Sequence, residues 1–205
     1  MATTLYHPFT MIVSGPTSSG KSVFTHKLIK HAQQLIEPAP ERILYCYGVY
    51  QDIFTTMEGI EFHEGVPQLT EFDGKQRTLL ILDDLMHETS KTVSQIFTKI
   101  SHHGNVSVVY ITQNIFYANK ENRTITLNAQ YIVLFKNVRD KSQIAFLARQ
   151  MYPGKAAHMI EAYNDATGAP FSYLFIDLKP RTDEQHRLRA CIFPDDELNY
   201  VYVPK

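Results

Sequence analysis

Gly15-Pro16-Thr17-Ser18-Ser19-Gly20-Lys21-Ser22 fits the pattern G-x-x-x-x-G-K-[ST] of a P-loop. The flanking residues supply the context that the pattern needs. Phe9-Thr10-Met11-Ile12-Val13 runs into it as a short apolar segment suited to a buried strand. From Ser22 to Ile36 the residues Val23, Leu28 and Leu35 recur at helical spacing. Strand, Gly-rich turn and helix together make a phosphate cradle. The glycines let the backbone wrap a polyphosphate, the turn aims N–H groups at its oxygens, and the helix adds the positive end of its dipole. In such a cradle, residues 15–22 surround the phosphates of ATP, Lys21 reaches the β- and γ-phosphates, and the Ser22 hydroxyl ligates Mg²⁺.

A second motif, Leu79-Leu80-Ile81-Leu82-Asp83-Asp84, is an apolar run ending in two carboxylates. The run suits a central parallel strand. Asp83 at its end can hold Mg²⁺, directly or through a water, and Asp84 can accept a proton from an attacking water. In a third, Val108-Val109-Tyr110-Ile111-Thr112-Gln113-Asn114, a strand again ends in polar residues at the edge where ligands bind. There Gln113 is placed to sense the γ-phosphate or to orient the water.

The chain's 205 residues suffice for one α/β domain with a sizeable core, read as residues 1–205 with an extended tail from about 194. Its formal net charge of −1 gives no global basic field, so nucleic-acid binding would need a local patch or a ring of subunits. Cys46 and Cys191 lack metal or redox spacing, and Cys46 reads as a buried thiol. There is no apolar run of 18 residues and no signal-peptide pattern, so no membrane partner is expected. Five apolar runs, at about 9–14, 42–47, 78–83, 106–112 and 130–135, read as strands alternating with helices, the pattern of a parallel sheet covered on both faces. Helical spacing marks residues 91–100, 140–151 and 155–166. Ser172–Leu178 and Arg187–Phe193, joined by a polar turn, read as a C-terminal β-hairpin extending the sheet.

A carboxylate after the acidic strand, with a polar residue ending the next, resembles the motor class of P-loop ATPases. That resemblance implies the order 5-1-4-3-2 for the five strands numbered along the chain. Several stretches sharpen it: Ile12 to Ser22, Ile81-Leu82-Asp83-Asp84-Leu85-Met86, and Phe97-Thr98-Lys99-Ile100-Ser101-His102-His103. To these add Thr112-Gln113-Asn114-Ile115-Phe116 and Leu134-Phe135-Lys136-Asn137-Val138-Arg139-Asp140. Their order and spacing, from about residue 9 to 190, resemble the FtsK–HerA-type DNA-packaging ATPases of double-stranded DNA viruses and Polinton/Maverick elements, and more distantly the poxvirus packaging ATPase. The resemblance implies a homo-oligomeric ring that uses ATP and Mg²⁺ to pump double-stranded DNA into a preformed capsid. It further implies capsid or portal proteins as partners, and a setting in the host cell (nucleus or cytoplasmic assembly site) and the virion. Lys21, Ser22 and Asp83 match the family's phosphate and metal residues. Asp84 stands where many of these motors carry Glu.

A ring ATPase needs a positive group supplied across the subunit interface. Arg123, read as lying in a polar loop, and Arg139, just past the fifth strand, are the candidates, with Arg123 favoured. His102 and His103 point apart as neighbours and suit a helix end better than a metal. Tyr45, Tyr47 and Tyr50 suit core packing or an interface, and Lys91, Lys99, Lys120 and Arg123 suit solvated faces unless a pore gathers them. Three alternatives stay open: a small-molecule, nucleoside-type kinase, a conjugation- or helicase-like translocase, and a non-hydrolysing assembly factor. Scattered arginines argue against a kinase lid, and the full set Lys21, Ser22, Asp83 and Asp84 argues against the last.

Overall fold

A computed structural model describes residues 3–50, 54–55, 57–85, 90–101, 104–116 and 120–204. His102, His103 and Met86 lie outside the described residues. The strands are β1 (Leu5–Tyr6), β2 (Thr10–Ser14), β3 (Ile36–Glu37), β4 (Arg42–Tyr47), β5 (Glu61–Glu64) and β6 (Thr78–Asp83). They continue with β7 (Val106–Thr112), β8 (Tyr131–Phe135), β9 (Tyr173–Asp177), β10 (Leu188–Ala190) and β11 (Tyr200–Val201). The helices are α1 (Lys21–Lys30), α2 (Ala32–Leu35), α3 (Ser90–Gln95, continued by a π-helical stretch Ile96–Ile100), α4 (Lys120–Leu127), α5 (Ser142–Met151) and α6 (Ala156–Ala166).

Among the described residues, nine strands form one mixed sheet in the order β11-β10-β9-β8-β2-β7-β6-β4-β5. The strands from β8 to β5 run parallel, and β9, β10 and β11 join antiparallel. The five expected strands therefore keep their relative order inside a longer sheet, whose full order departs from the expectation at both ends. Beyond β4 lies β5, whose sequence Glu61-Phe62-His63-Glu64 is too polar to read as a core strand and suits an exposed edge. Beyond the β9–β10 hairpin lies β11, drawn from the tail. A separate parallel pair joins β1 to β3.

Alternation along the strands explains their near-continuous apolar runs. Ile12, Leu80, Leu82, Val108, Ile132 and Leu134 pack on one face, with α3–α6. Met11, Val13, Leu79, Ile81, Val109, Val133 and Phe135 pack on the other, with Phe24, Leu28, Ala32 and Leu35 of α1 and α2. Both faces are covered, as in parallel sheets generally.

Two local expectations need correction. The helix expected from Ser22 to Ile36 breaks at His31, and the break frees Ile36 to pair with Leu5 as a strand. The polar loop expected around Arg123 is helix α4; Ile125 is its one buried residue, so no apolar period announced it. No helix among the described residues is long and apolar enough to cross a membrane.

Candidate functional site

Three strand ends meet because the register of the parallel sheet makes them meet. Ser14, the last residue of β2, lies opposite Thr112 of β7, and Asp83 of β6 lies opposite Ile111 of β7. The loop 15–20, the Asp83-Asp84 pair and Gln113 therefore share the C-terminal edge of the sheet. β2 is also the point where the chain order reverses, with β8 on one side and β7 on the other. In open α/β sheets that crevice is where ligands bind.

The loop has little room for other side chains. A Cβ at Gly15 would sit 2.6 Å from both the Phe135 Cβ and the Ser19 Oγ. Gly20, at φ 115°, starts α1 in a conformation that L residues rarely adopt, and Ser18 holds φ 62° at the loop's tip. The Gly15 N–H donates to the Thr112 carbonyl at 3.2 Å, stitching the loop to β7. Pro16 is half-buried, and Thr17, Ser18 and Ser22 are exposed. The Ser19 hydroxyl is buried and finds no hydrogen-bond partner among the described residues.

Lys21 Nζ donates to the carbonyls of Gly15 (2.7 Å) and Pro16 (2.9 Å), folding the side chain along the loop. Burial lowers its pKa from the ordinary lysine value, and the charges of Asp83 and Asp84 act in the opposite sense. Asp83 is 7 % exposed. Burial raises its carboxyl above the usual range. The Tyr45 hydrogen bond opposes this, the Asp84 charge adds to it, and Lys21 and His26 oppose it further. Tyr45 Oη donates to Asp83 Oδ2 at 2.7 Å across the β4–β6 pairing.

Asp84 is exposed and holds φ 54°, in the left-handed region where Asp is tolerated better than most residues. Its carbonyl lies 2.7 Å from where a Cβ at Gly48 would stand, so that glycine admits the turn. Gln113 is exposed just past β7, while its neighbours build the turn: the Asn114 N–H donates to Thr112 Oγ1, and Asn114 Oδ1 accepts from the Phe116 N–H.

The donor set suits Mg²⁺. Asp83 and Ser22 offer the hard oxygen ligands that Mg²⁺ prefers, and such sites complete their coordination with water and substrate phosphates. Among the described residues no three His, Cys, Asp or Glu side chains gather into a metal cage.

Both arginine candidates stand apart from this crevice in sequence. Arg123 is exposed on α4 and Arg139 is exposed in the turn after β8; neither makes an ion pair with a described residue. The turn around Arg139 explains its own sequence. Asn137 Oδ1 accepts from the N–H groups of Arg139 and Asp140, and Asp140 accepts from the Ser142 and Gln143 side chains at the start of α5. Tyr163 Oη donates to the Phe135 carbonyl and accepts from the Asn137 N–H.

Sequence reasoning missed two residues here. The sequence suits Tyr45 to core packing or an interface; its hydroxyl also holds Asp83, and only the β4–β6 neighbour relation reveals it. His26, on α1, is held below its ordinary pKa by burial while the Asp83 charge acts in the opposite sense. Its Nε2 is buried with no partner among the described residues.

No protein-family model matches the chain, and no curated protein matches it. Solved structures do. The chain is similar to the genome packaging NTPase B204 from Sulfolobus turreted icosahedral virus 2 in complex with AMP, at TM-score 0.57 and 11 % identity over 97 % of this chain and 98 % of that one. The same protein in complex with ATP-gammaS aligns at TM-score 0.55, with 11 % identity and the same coverage. At this identity the likeness is one of fold: a mixed α/β sheet with helices, shared over essentially the whole chain with a viral packaging NTPase.

Proposed function

We propose that this chain is an ATPase that moves double-stranded DNA into a viral capsid. The observation that carries the proposal is the meeting of Lys21, Asp83 and Asp84 with a tight P-loop at the order-reversal point of the sheet, in a fold shared with a packaging NTPase. Lys21 neutralises charge that develops on the γ-phosphate, Asp84 accepts the proton of the attacking water, and Gln113 orients that water. Asp83 and Ser22 would hold Mg²⁺, which when bound neutralises phosphate charge.

A ring of copies would supply Arg123 or Arg139 to a neighbour's site. In such a ring the exposed Lys91 and Lys99 of α3 and its π-helical continuation, with Lys120 and Arg123 of the adjoining α4, would give a local basic surface that tracks phosphates without reading sequence. Capsid or portal proteins are the proposed further partners, and an infected host cell, at a nuclear or cytoplasmic assembly site, and the virion are the proposed setting.

The deciding experiment measures ATP turnover with and without double-stranded DNA, alongside mass in solution. Stimulation by DNA of any sequence, lost at high salt, in an oligomer is the expected result. Phosphoryl transfer to a nucleoside, with no response to DNA, would overturn the proposal in favour of a kinase.

A further inference from the structure

Phe171 stands beside the P-loop in a conformation that its side chain should avoid. It occupies the third position of the turn Ala169-Pro170-Phe171-Ser172, closed by the Ser172 N–H donating to the Ala169 carbonyl at 3.3 Å and by the Ser172 hydroxyl donating to the same oxygen at 2.7 Å. Its φ is 62°, at a place where such turns normally carry Gly or Asn. A bulky residue there is an outlier that persists only when surrounding structure holds it. Burial offsets little of this, for Phe171 is 60 % exposed.

Its location gives the outlier a use. A Cβ at Gly20 would stand 3.0 Å from the Phe171 Cα and 3.1 Å from its Cβ, so the turn touches the last loop residue before Lys21. The turn leads directly into β9, two strands from β2 on the β8 side. Asp83 lies two strands from β2 on the other side, past β7. A nucleotide lying extended along this edge, with its terminal phosphate towards Asp83, would carry its ribose and base the opposite way, towards β8 and β9. On that side Phe171 is a large exposed apolar residue against the loop, with Val23 of the first α1 turn also exposed nearby in sequence. Below the turn the support is stiff: Tyr173, two residues on, packs its ring 4.9 Å from Phe24 and 5.8 Å from Phe135.

We infer that Phe171 is the platform on which the base of the bound nucleoside triphosphate stacks. The inference rests on the P-loop reading above. Every base offers a π-face, so the platform supplies affinity for the nucleoside half of the ligand while the loop supplies it for the phosphates.

The chain contains no tryptophan, so Phe171→Trp installs a single tryptophan, excited apart from the tyrosines, at the proposed platform. ATP with Mg²⁺ should change its emission, and inorganic tripolyphosphate, which has no base, should not. Phe171→Ala should weaken ATP binding about tenfold or more, by the usual worth of base–aromatic stacking, and leave tripolyphosphate affinity unchanged. Phe171→Gly, which relieves the backbone, should weaken ATP in the same way from an undisturbed fold. Equal ATP affinity in wild type, Phe171→Ala and Phe171→Gly overturns the inference and leaves the P-loop reading intact, as does a Trp signal that ignores bound ATP. A change confined to subunit association likewise overturns it. Wild-type protein that binds neither ATP nor tripolyphosphate removes the P-loop reading itself.

Discussion

Two lysines whose pKa burial lowers stand at opposite ends of the sheet, and their surroundings differ. Lys21 lies at the C-terminal edge of β2, bonded to two loop carbonyls and facing the charges of Asp83 and Asp84. Lys179 follows β9 at the end where β8 begins, since Asp177 pairs with Tyr131. It lines a groove of about 730 Å³ with Tyr6, His7, Glu37 and Arg189 among others. Its ammonium sits 4.6 Å from the Tyr131 ring centre and 5.5 Å from that of Tyr6, and donates to the Tyr6 carbonyl at 3.3 Å. Burial lowers the pKa of both. The difference is in the partners. Aromatic faces, the Tyr6 carbonyl and the Asp177 charge surround Lys179, whereas under the proposed function Lys21 would exchange two loop carbonyls for phosphate oxygens. Desolvation of a charge, even beside a carboxylate, therefore does not by itself mark a site.

Lys21→Ala gives the largest expected effect. Turnover should fall by about 10²-fold or more, the usual worth of one preorganised charge contact in a transition state. Thermal unfolding should be little changed, because the loop carbonyls can turn to water. Near-wild-type turnover by the folded variant would reduce Lys21 to the same structural role as Lys179.

Asp84→Asn comes next. Loss of the proton acceptor should slow hydrolysis by roughly 10²- to 10⁴-fold while ATP–Mg²⁺ still binds, as read by single-turnover kinetics and equilibrium binding. Asp83→Asn should instead raise the Mg²⁺ concentration needed for turnover. If the two variants behave alike, the division of labour between neighbouring carboxylates is wrong.

Tyr45→Phe probes a residue that touches no nucleotide in this scheme. Freed of its hydrogen bond, Asp83 becomes a poorer metal ligand, and half-maximal turnover should need about tenfold more Mg²⁺, with the maximal rate nearly restored at saturation. An unchanged Mg²⁺ dependence would mean that Tyr45 only packs.

Lys179→Met should have the smallest effect, leaving turnover as it was. Its signature is in stability against pH. The folded-state pKa of Lys179 is depressed below the ordinary 10.5, with Asp177 acting to raise it and Arg181 to lower it. The folded protein therefore binds fewer protons than the unfolded chain between the lowered value and 10.5, and this group favours folding increasingly as pH rises through that window. Wild type should gain stability relative to Lys179→Met in denaturant unfolding from pH 7 to pH 10, and a constant difference would show that the lysine is as well solvated as an ordinary one.

The core strands were readable because burial on both faces leaves them almost wholly apolar, and the two carboxylates showed as an abrupt end to such a run. β5 and α4 were not, since an edge strand and a mostly exposed helix carry too few apolar residues for a period to emerge. For that reason Arg123 lies on a helix where the sequence suits a loop. Tyr45 and His26 were hidden differently: each acts on a residue far away in sequence, so no local pattern can announce it.

Local chemistry along the chain was enough for the Gly-rich loop between β2 and α1. A strand, two glycines, Lys21 and Ser22 within a short span leave few other conformations, because only glycine tolerates the close approach at Gly15 and the φ of Gly20. The long-range neighbours needed the folded sheet. Strand pairing brings Tyr45 to Asp83, Thr112 to Gly15, and the Phe171 turn to Gly20, between segments separated by dozens of residues. Sequence spacing carries no distance across a sheet; the register of hydrogen-bonded strands does, and with it the geometry of the site.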